Sequence, residues 1–415
     1  MKPIGELTRV FGRIGLLSFG GPAAQIALMH QELVEKRDWL TEEQYLRALS
    51  FCMLLPGPEA MQLATYAGWK QRGLLGGLIG GGLFVLPGAF VIMVLALLYG
   101  TYGNLPIAQA LFLGVKATVV IIVIDALIKV ARRALTSSKA RWIAVLAFCA
   151  LFFFALPFPL VIAVAACVGA YGTVTPNTTK HRQTLPWRRS LIILVIGCLT
   201  WAAPLLILQN AHPLLTDIAT FFAWLAVVTF GGAYAVLAYM TQAVVGEFGW
   251  LTTPQMMDAL GLAETTPGPL ILVTQFVGMV AGAAAGGTLL ALAAGGVTLW
   301  VTFVPCFIWI FAGAPLIDWL ADQPRLKAAL AGITAAVVGV IANLSVWFAM
   351  HVFFEVVQNY QAGPIKVSLP QLESIDPLPI GLAVVAGLLL LWRRLNLLNV
   401  LAISVALSAA IAAIS

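Results

Sequence analysis

Apolar residues run through this chain in long stretches, and polar residues gather in short segments between them. The stretches are too long and continuous for the alternating strands of a membrane barrel. Helices satisfy their own backbone hydrogen bonds in lipid, so an all-helical bundle is expected. Thirteen spans are predicted, near residues 8–29, 47–68, 74–100, 105–128, 142–156, 158–172, 190–208, 218–243, 256–279, 283–311, 328–353, 377–392 and 396–414. Several reach the roughly 20 residues that cross a bilayer as a helix. The fold class is an all-α polytopic membrane protein.

Composition strengthens that reading. The chain has 415 residues, 61% hydrophobic and only 10% charged, against about 25% charged in a soluble domain. Its net charge of +6 would suit nucleic acid, but the Lys and Arg residues sit mostly in short loops. With the N-terminus placed in the cytoplasm, 17 of the 23 fall in cytoplasmic segments and four in external ones. Only Arg13 and Lys116 remain inside spans. This bias predicts a cytoplasmic N-terminus and a periplasmic C-terminus, and no nucleic-acid partner. Arg9 and Arg13 before an apolar stretch resemble a signal peptide. The interruption Phe19-Gly20-Gly21-Pro22 and the many later spans favour an uncleaved first helix. The five cysteines lie in apolar segments without C-x-x-C spacing and read as buried thiols.

The chain also repeats itself. Ser18-Phe19-Gly20-Gly21 returns as Thr229-Phe230-Gly231-Gly232, and Trp39-Leu40-Thr41 as Trp250-Leu251-Thr252. Leu55-Pro56-Gly57-Pro58 returns as Thr266-Pro267-Gly268-Pro269. All three pairs share one offset of 211 residues. Later the offset drifts, so that Pro87 matches Pro305 and Asp125 matches Asn343. Seven crossings separate the two starts, so the copies are expected to face opposite ways, an architecture common among secondary transporters. The expected organisation is a first repeat over 1–172, a basic cytoplasmic loop and linking helix over 173–217, and an inverted second repeat over 218–415.

Each half carries two Gly/Pro interruptions, Phe-Gly-Gly and Pro-Gly-Pro. Proline removes a donor and clashes with the preceding turn, while glycine frees the backbone. The helix beyond such a break starts with unpaired N–H groups and the positive end of a dipole, a natural anion site. Ser18, Gly20, Gly21, Pro56, Gly57, Pro58, Gly231, Gly232, Pro267, Gly268 and Pro269 are therefore candidate substrate-binding residues. Gln62 and Gln275 would add neutral hydrogen bonds beside the breaks. The alternative for any single break is a kink made for packing. Glycine runs at four-residue spacing, Gly73-Gly77-Gly81 and Gly278-Gly282-Gly286, read as close helix packing.

At this point the chain resembles the chromate ion transporter family, long-chain two-domain form. The resemblance rests on Phe19-Gly20-Gly21-Pro22, Trp39-Leu40, Leu55 to Ala60, Gln62 to Tyr66, Gly114-Val115-Lys116 and the second Pro-Gly-Pro. It implies chromate efflux across the bacterial inner membrane and hence chromate resistance. The second half departs in lacking the first half's charges: Lys116 is matched by Thr334, Arg13 by Trp224 and Glu59 by Leu270.

Buried charges supply the remaining candidates. A mid-bilayer ammonium costs roughly 2.5–3.5 kcal/mol unless paired, so Lys116 reads either as a ligand for a dianion or as the partner of Glu59 or another carboxylate. Arg13 could offer a planar fork to a tetrahedral oxyanion, or snorkel to the surface. Glu59, Glu264 and Asp125 are candidate proton carriers, with structural pairing as the alternative. For Asp125 that partner is Lys129, one helical turn away. The four histidines show no metal-ligand spacing, and no metal or cofactor is expected. No enzyme motif and no P-loop is present. The expected function is proton-coupled export of chromate, with sulfate or another tetrahedral oxyanion as the alternative substrate, since chromate and sulfate share charge and shape. The expected partners are that oxyanion and the lipid bilayer, with a homodimer left open.

Overall fold

The computed structural model describes residues 2–103, 105–171, 187–208, 212–228, 230, 233–317 and 323–414. Its helices are α1 Ile4–Leu17, α2 Gly21–His30, α3 Glu42–Cys52, α4 Glu59–Tyr102, α5 Pro106–Ala134, α6 Ser138–Phe152, α7 Phe158–Ala170, α8 Trp187–Leu208, α9 Pro213–Val228, α10 Ala233–Thr241, α11 Thr253–Thr265, α12 Val273–Gly313, α13 Pro324–Phe353, α14 Pro377–Gly387 and α15 Leu397–Ile414. Among the described residues, six helical segments are long and apolar enough to cross a membrane.

Four of the thirteen expected spans carry the interruptions that the Gly/Pro motifs call for. The expected spans near 8–29, 47–68, 218–243 and 256–279 are each divided by a break. The first of them becomes α1, 14 residues long, and α2, 10 residues long. At a rise of 1.5 Å per residue, α1 is about 21 Å long, short of a hydrocarbon core of about 30 Å. The breaks lie where the glycine and proline motifs predict them. Gly57 and Gly268 take φ of 113° and 91°, a region that L side chains avoid, and each is held there between two prolines.

Two long helices fold back on themselves. α4 leaves helical geometry at Arg72 and Gly73, and α12 does so at Gly286 and Gly287. In α4 the pieces 59–71 and 74–102 then pack side by side. A Cβ added at Gly76 would lie 2.2 Å from the Gly68 carbonyl oxygen, and one at Gly80 would lie 2.4 Å from that of Ala64. The glycine spacing thus sets backbone-to-backbone packing, as small-residue stripes do in membranes.

One departure from an all-α chain is a hairpin of β1 Val357–Ala362 and β2 Ile365–Pro370, in which Ala362 pairs with Ile365. Gly363 supplies the positive φ, 59°, that a two-residue hairpin turn needs at its first central position. All five cysteines are free, but only Cys52 and Cys306 are buried; Cys167 is exposed. An apolar helix face turned toward lipid exposes small hydrophobes at no cost, so the expectation of five buried thiols fails there.

The chain forms two compact units, each drawing on both sequence repeats. The first combines Met1–Leu97, Gly172–Ala233 and Thr266–Lys327; within it α12 packs on α8 and α9. The second combines Leu98–Tyr171, Tyr234–Thr265 and Ala328–Ser415; within it α5 packs on α11, α14 and α15.

Local geometry recurs at the 211-residue offset. Phe19 N–H bonds Leu17 O at 2.9 Å, and Phe230 N–H bonds Val228 O at 3.0 Å. The π-helical turns Gln31–Glu35 and Gln242–Glu247 follow α2 and α10. Thr41 and Gln44 cap α3 reciprocally, and Thr252 and Gln255 do the same for α11. The duplication is therefore one of backbone conformation as well as of sequence.

The hairpin contact predicts that Gly76→Val costs at least the 1–3 kcal/mol typical of overpacking, because backbone blocks the new side chain. Gly82, with nothing within 4 Å of an added Cβ, should accept alanine. Thermal unfolding in detergent, with size-exclusion profiles, measures both. A second prediction concerns Glu32 in the polar segment after α2, whose side chain is 2% exposed and bonds Lys36 at 2.9 Å and also Arg37. Burial pushes its carboxyl upward, but Lys36 and Arg37 outweigh burial and hold it below the usual carboxylate range. Such a group stabilises the fold above its unfolded pKa and loses that contribution as pH falls through the folded value. Glu32→Gln should lower Tm at neutral pH and flatten its fall on acidification through the carboxylate range.

Candidate anion site at the helix breaks

In the first unit, the break after α1 meets the Pro-Gly-Pro of the second repeat. Gly268 donates its backbone N–H to Ser18 O at 2.9 Å. Gln25, 2% exposed, braces the junction: its Nε2 donates to Gly268 O at 2.7 Å and to Ser18 O at 3.3 Å. Gly88 closes the contact from α4, where a Cβ would lie 2.1 Å from Pro267 O. The first Pro-Gly-Pro is placed in a matching way. A Cβ on Gly57 would lie 2.9 Å from Sγ of Cys306, and Cys306 stands 218 residues after Gly88, the later register of the repeat. Breaks from both copies thus converge inside one unit.

The candidate side chains there are already occupied. Ser18 Oγ donates to Ile14 O at 2.6 Å. Nε2 of Gln62 donates to Pro56 O at 2.6 Å, and Nε2 of Gln275 to Ala89 O at 3.0 Å. The Oε1 atoms of both glutamines are buried with no hydrogen-bond partner among the described residues. A cavity of about 10 Å³ lies against Gly57, Pro58 and Thr302, space for about one water and too little for a four-oxygen anion. At the first Pro-Gly-Pro this cavity has no room for the anion in this conformation. Pro267, Gly268 and Pro269 are buried, whereas Pro56 and Pro58 are only partly so. Glu59 begins the helix after the first break, and its carboxylate accepts from its own backbone N–H. That places a carboxyl group at the positive end of the helix; in the second repeat the corresponding Leu270 leaves that end apolar. Arg13 lies on the exposed face of α1, opposite buried Phe11 and Ile14. Gly231 and Gly232 lie outside the described residues.

The second unit holds the buried charges. Lys116 stands ten residues into α5, and its Nζ lies 3.1 Å from Oδ1 of Asp258 on α11. Tyr99 donates its hydroxyl to Oδ2 of the same aspartate at 2.8 Å. The ammonium thus has a carboxylate partner, and that partner is Asp258. Glu264, 5% exposed, hydrogen-bonds the Tyr234 hydroxyl, and Asp125 lies within electrostatic reach of that tyrosine. Asp125 also pairs with Lys129 one turn along α5. Sequence reasoning missed Gln25, Tyr99, Tyr234 and Asp258. Asp258 and Gln25 carried a usable signal, a polar side chain inside an apolar stretch. The tyrosines carried none.

The family model described as chromate transporter matches residues 5–170 and 216–413, one segment in each sequence repeat. The chain belongs to the chromate transporter family. A chromate transport protein of Pseudomonas aeruginosa is 29% identical over 97% of this chain and 90% of its own length. One from Cupriavidus metallidurans is 30% identical over 81% of this chain and 80% of its own. A probable chromate transport protein of Synechococcus elongatus is 31% identical over 81% and 82%. No solved structure matches the chain. Membership makes this a multi-pass membrane transport protein rather than an enzyme, and the family's substrate class is an oxyanion.

The Gln25 brace gives a direct prediction for this transporter. Gln25→Leu keeps the volume but leaves Gly268 O without its side-chain donor. A loss of about 1–3 kcal/mol is expected, read as a lower Tm. Gln25→Asn, one methylene shorter, should lose less of the stability if its amide still reaches Gly268 O.

Proposed function

We propose that this protein exports chromate from the cytoplasm across the bacterial plasma membrane as a secondary transporter and thereby confers chromate resistance. The relatives named above carry chromate in their names. The observation that supports a carrier most strongly is the bond from Gly268 to Ser18, which ties one repeat's helix break to the other's. Secondary transporters build midplane sites in this way from discontinuous helices of inverted repeats. In this reading the two copies run in opposite directions, the N-terminus is cytoplasmic and the C-terminus periplasmic. In the first unit the helix N-termini at the breaks, and in the second unit Lys116, are each proposed as contacts for the anion.

Energy for export is available from the membrane itself. An inside-negative potential drives a dianion outward with about 2.3 kcal/mol per charge per 100 mV, so about twice that for chromate. Coupling to protons resets a charged site between turnovers. Glu59, Glu264 and Asp125 are the acids proposed to carry it, with Glu264 the most enclosed of the three.

The test is uptake into inside-out vesicles or proteoliposomes, with voltage clamped by potassium and valinomycin. Saturable chromate uptake is expected, stimulated by an imposed pH gradient, weakly inhibited by sulfate, and abolished by Lys116→Ala at wild-type abundance in the membrane. Wild-type uptake by Lys116→Ala would remove Lys116 from the substrate site. Equal competition by sulfate would broaden the substrate to tetrahedral oxyanions. A flux that ignores the pH gradient and is unaltered by Glu59→Gln with Glu264→Gln would replace proton coupling by uniport or anion exchange.

A further inference from the structure

We propose that Asp258 is an internal competitor for the substrate: its carboxylate holds Lys116 while the carrier is empty, and the incoming oxyanion takes its place. This inference rests on the reading that Lys116 binds the substrate.

The geometry is that of an occupied anion site. Asp258 Oδ1 lies 3.1 Å from Lys116 Nζ, where an oxyanion oxygen would sit. The side chains of Lys116 and Asp258 are only 17% and 9% exposed. The charged and titratable groups set against Asp258 are Lys116 from α5 and Tyr99 from the end of α4. Tyr99 steadies Oδ2 at 2.8 Å. Oδ1, by contrast, makes no well-aligned hydrogen bond. The carboxylate is thus held by one fixed hydrogen bond and by charge, an attachment that another anion can exchange. Close packing brings the two helices together: a Cβ at Gly261, one turn beyond Asp258, would lie 2.6 Å from a Val115 methyl. Glycine there keeps the carboxylate within reach of the lysine.

The pair is not a fixture of the repeat. In the repeat register Lys116 corresponds to Thr334 and Asp258 to Arg47, a neutral group and a cation. A tie that merely glued two helices together would be expected in both copies. This one occurs at a lysine set within the apolar run of α5.

The exchange has a charge balance that makes it proton-sensitive. Lys116 and Asp258 together are neutral, and a dianion brought between them leaves the site at minus two. If Asp258 first takes a proton from solvent, the lysine is free and the loaded site carries minus one. In low dielectric the second route is favoured, so one proton entering at Asp258 prepares the site for one anion. When the proton leaves, the carboxylate returns to Lys116 and expels the anion. Tyr99 orients the carboxylate through its hydroxyl.

The experiment is equilibrium chromate binding to the purified full-length protein, together with transport, over a pH range where chromate stays the dianion. Asp258→Asn should bind chromate more tightly than wild type, roughly tenfold if the lysine is free about a tenth of the time. The affinity of Asp258→Asn should lose the pH dependence of the wild type, and turnover should slow because release is unaided. Tyr99→Phe should tighten binding in the same direction by less. Asp258→Asn that is folded and binds no more tightly than wild type would overturn the proposal. If Asp258→Asn does not accumulate, Tyr99→Phe decides: tighter binding supports the latch, and unchanged or weaker binding overturns it. Lys116→Ala keeps the two readings apart. If it binds chromate normally, the substrate-site reading itself has failed; if it binds none while Asp258→Asn gains nothing, only the latch is wrong.

Discussion

A single backbone hydrogen bond, from Gly268 N–H to Ser18 O at 2.9 Å, fixes where the two sequence repeats meet. Both groups lie in helix breaks, where intrahelical partners are lost and a buried N–H or C=O must find another. The first repeat's break satisfies the second's, and Gln25 takes up the remaining capacity of both carbonyls. Glycine at 268 allows the backbone to turn there, and glycine at 88 lets α4 come against the turn. Remove any of these and the cost is an unsatisfied polar group in an apolar surround. The same junction sets the C-terminal end of α1 beside the turn that leads into α12, elements of the two copies.

Electrostatics in the second unit obeys a similar economy. Lys116, Asp125 and Glu264 each have a partner: Asp258, Lys129 and Tyr234. Unpaired, each would be expensive at membrane depth. A transporter built this way cannot wait with a bare charge exposed to lipid. On the proposed reading its substrate competes with Asp258 for Lys116, and protons couple at that exchange.

Much of this was legible in the chain. Phe-Gly-Gly and Pro-Gly-Pro marked the breaks because their backbone chemistry is local; of Gly73-Gly77-Gly81 only the last two are closely packed, and the backbone contact within α4 is made by Gly76 and Gly80. The duplication showed in three motifs at one spacing. Other features depend on tertiary neighbours and were hidden. The reversal at Arg72 and Gly73 falls in the polar gap between the expected spans near 47–68 and 74–100, but the side-by-side packing of the two arms of α4 depends on the fold. Asp258 stands 142 positions from Lys116, and only the packing of α11 on α5 makes them a pair. Gln62 and Gln275 were rightly noticed as polar groups at the breaks, yet their amides serve the backbone carbonyls of Pro56 and Ala89.

The account of function requires that the two copies run in opposite directions through the membrane, and labelling from one side tests this most directly. In a background with all five cysteines replaced, a single cysteine is placed at Arg37 or at its repeat equivalent Phe248, both in polar segments that follow a π-helical turn. An impermeant thiol reagent is applied to intact cells and, separately, to inside-out vesicles. Opposed copies predict that the cysteine at 37 reacts from outside the cell and the cysteine at 248 only from the cytoplasmic face. Reaction of both from the same face would contradict the inverted architecture and the shared site built on it.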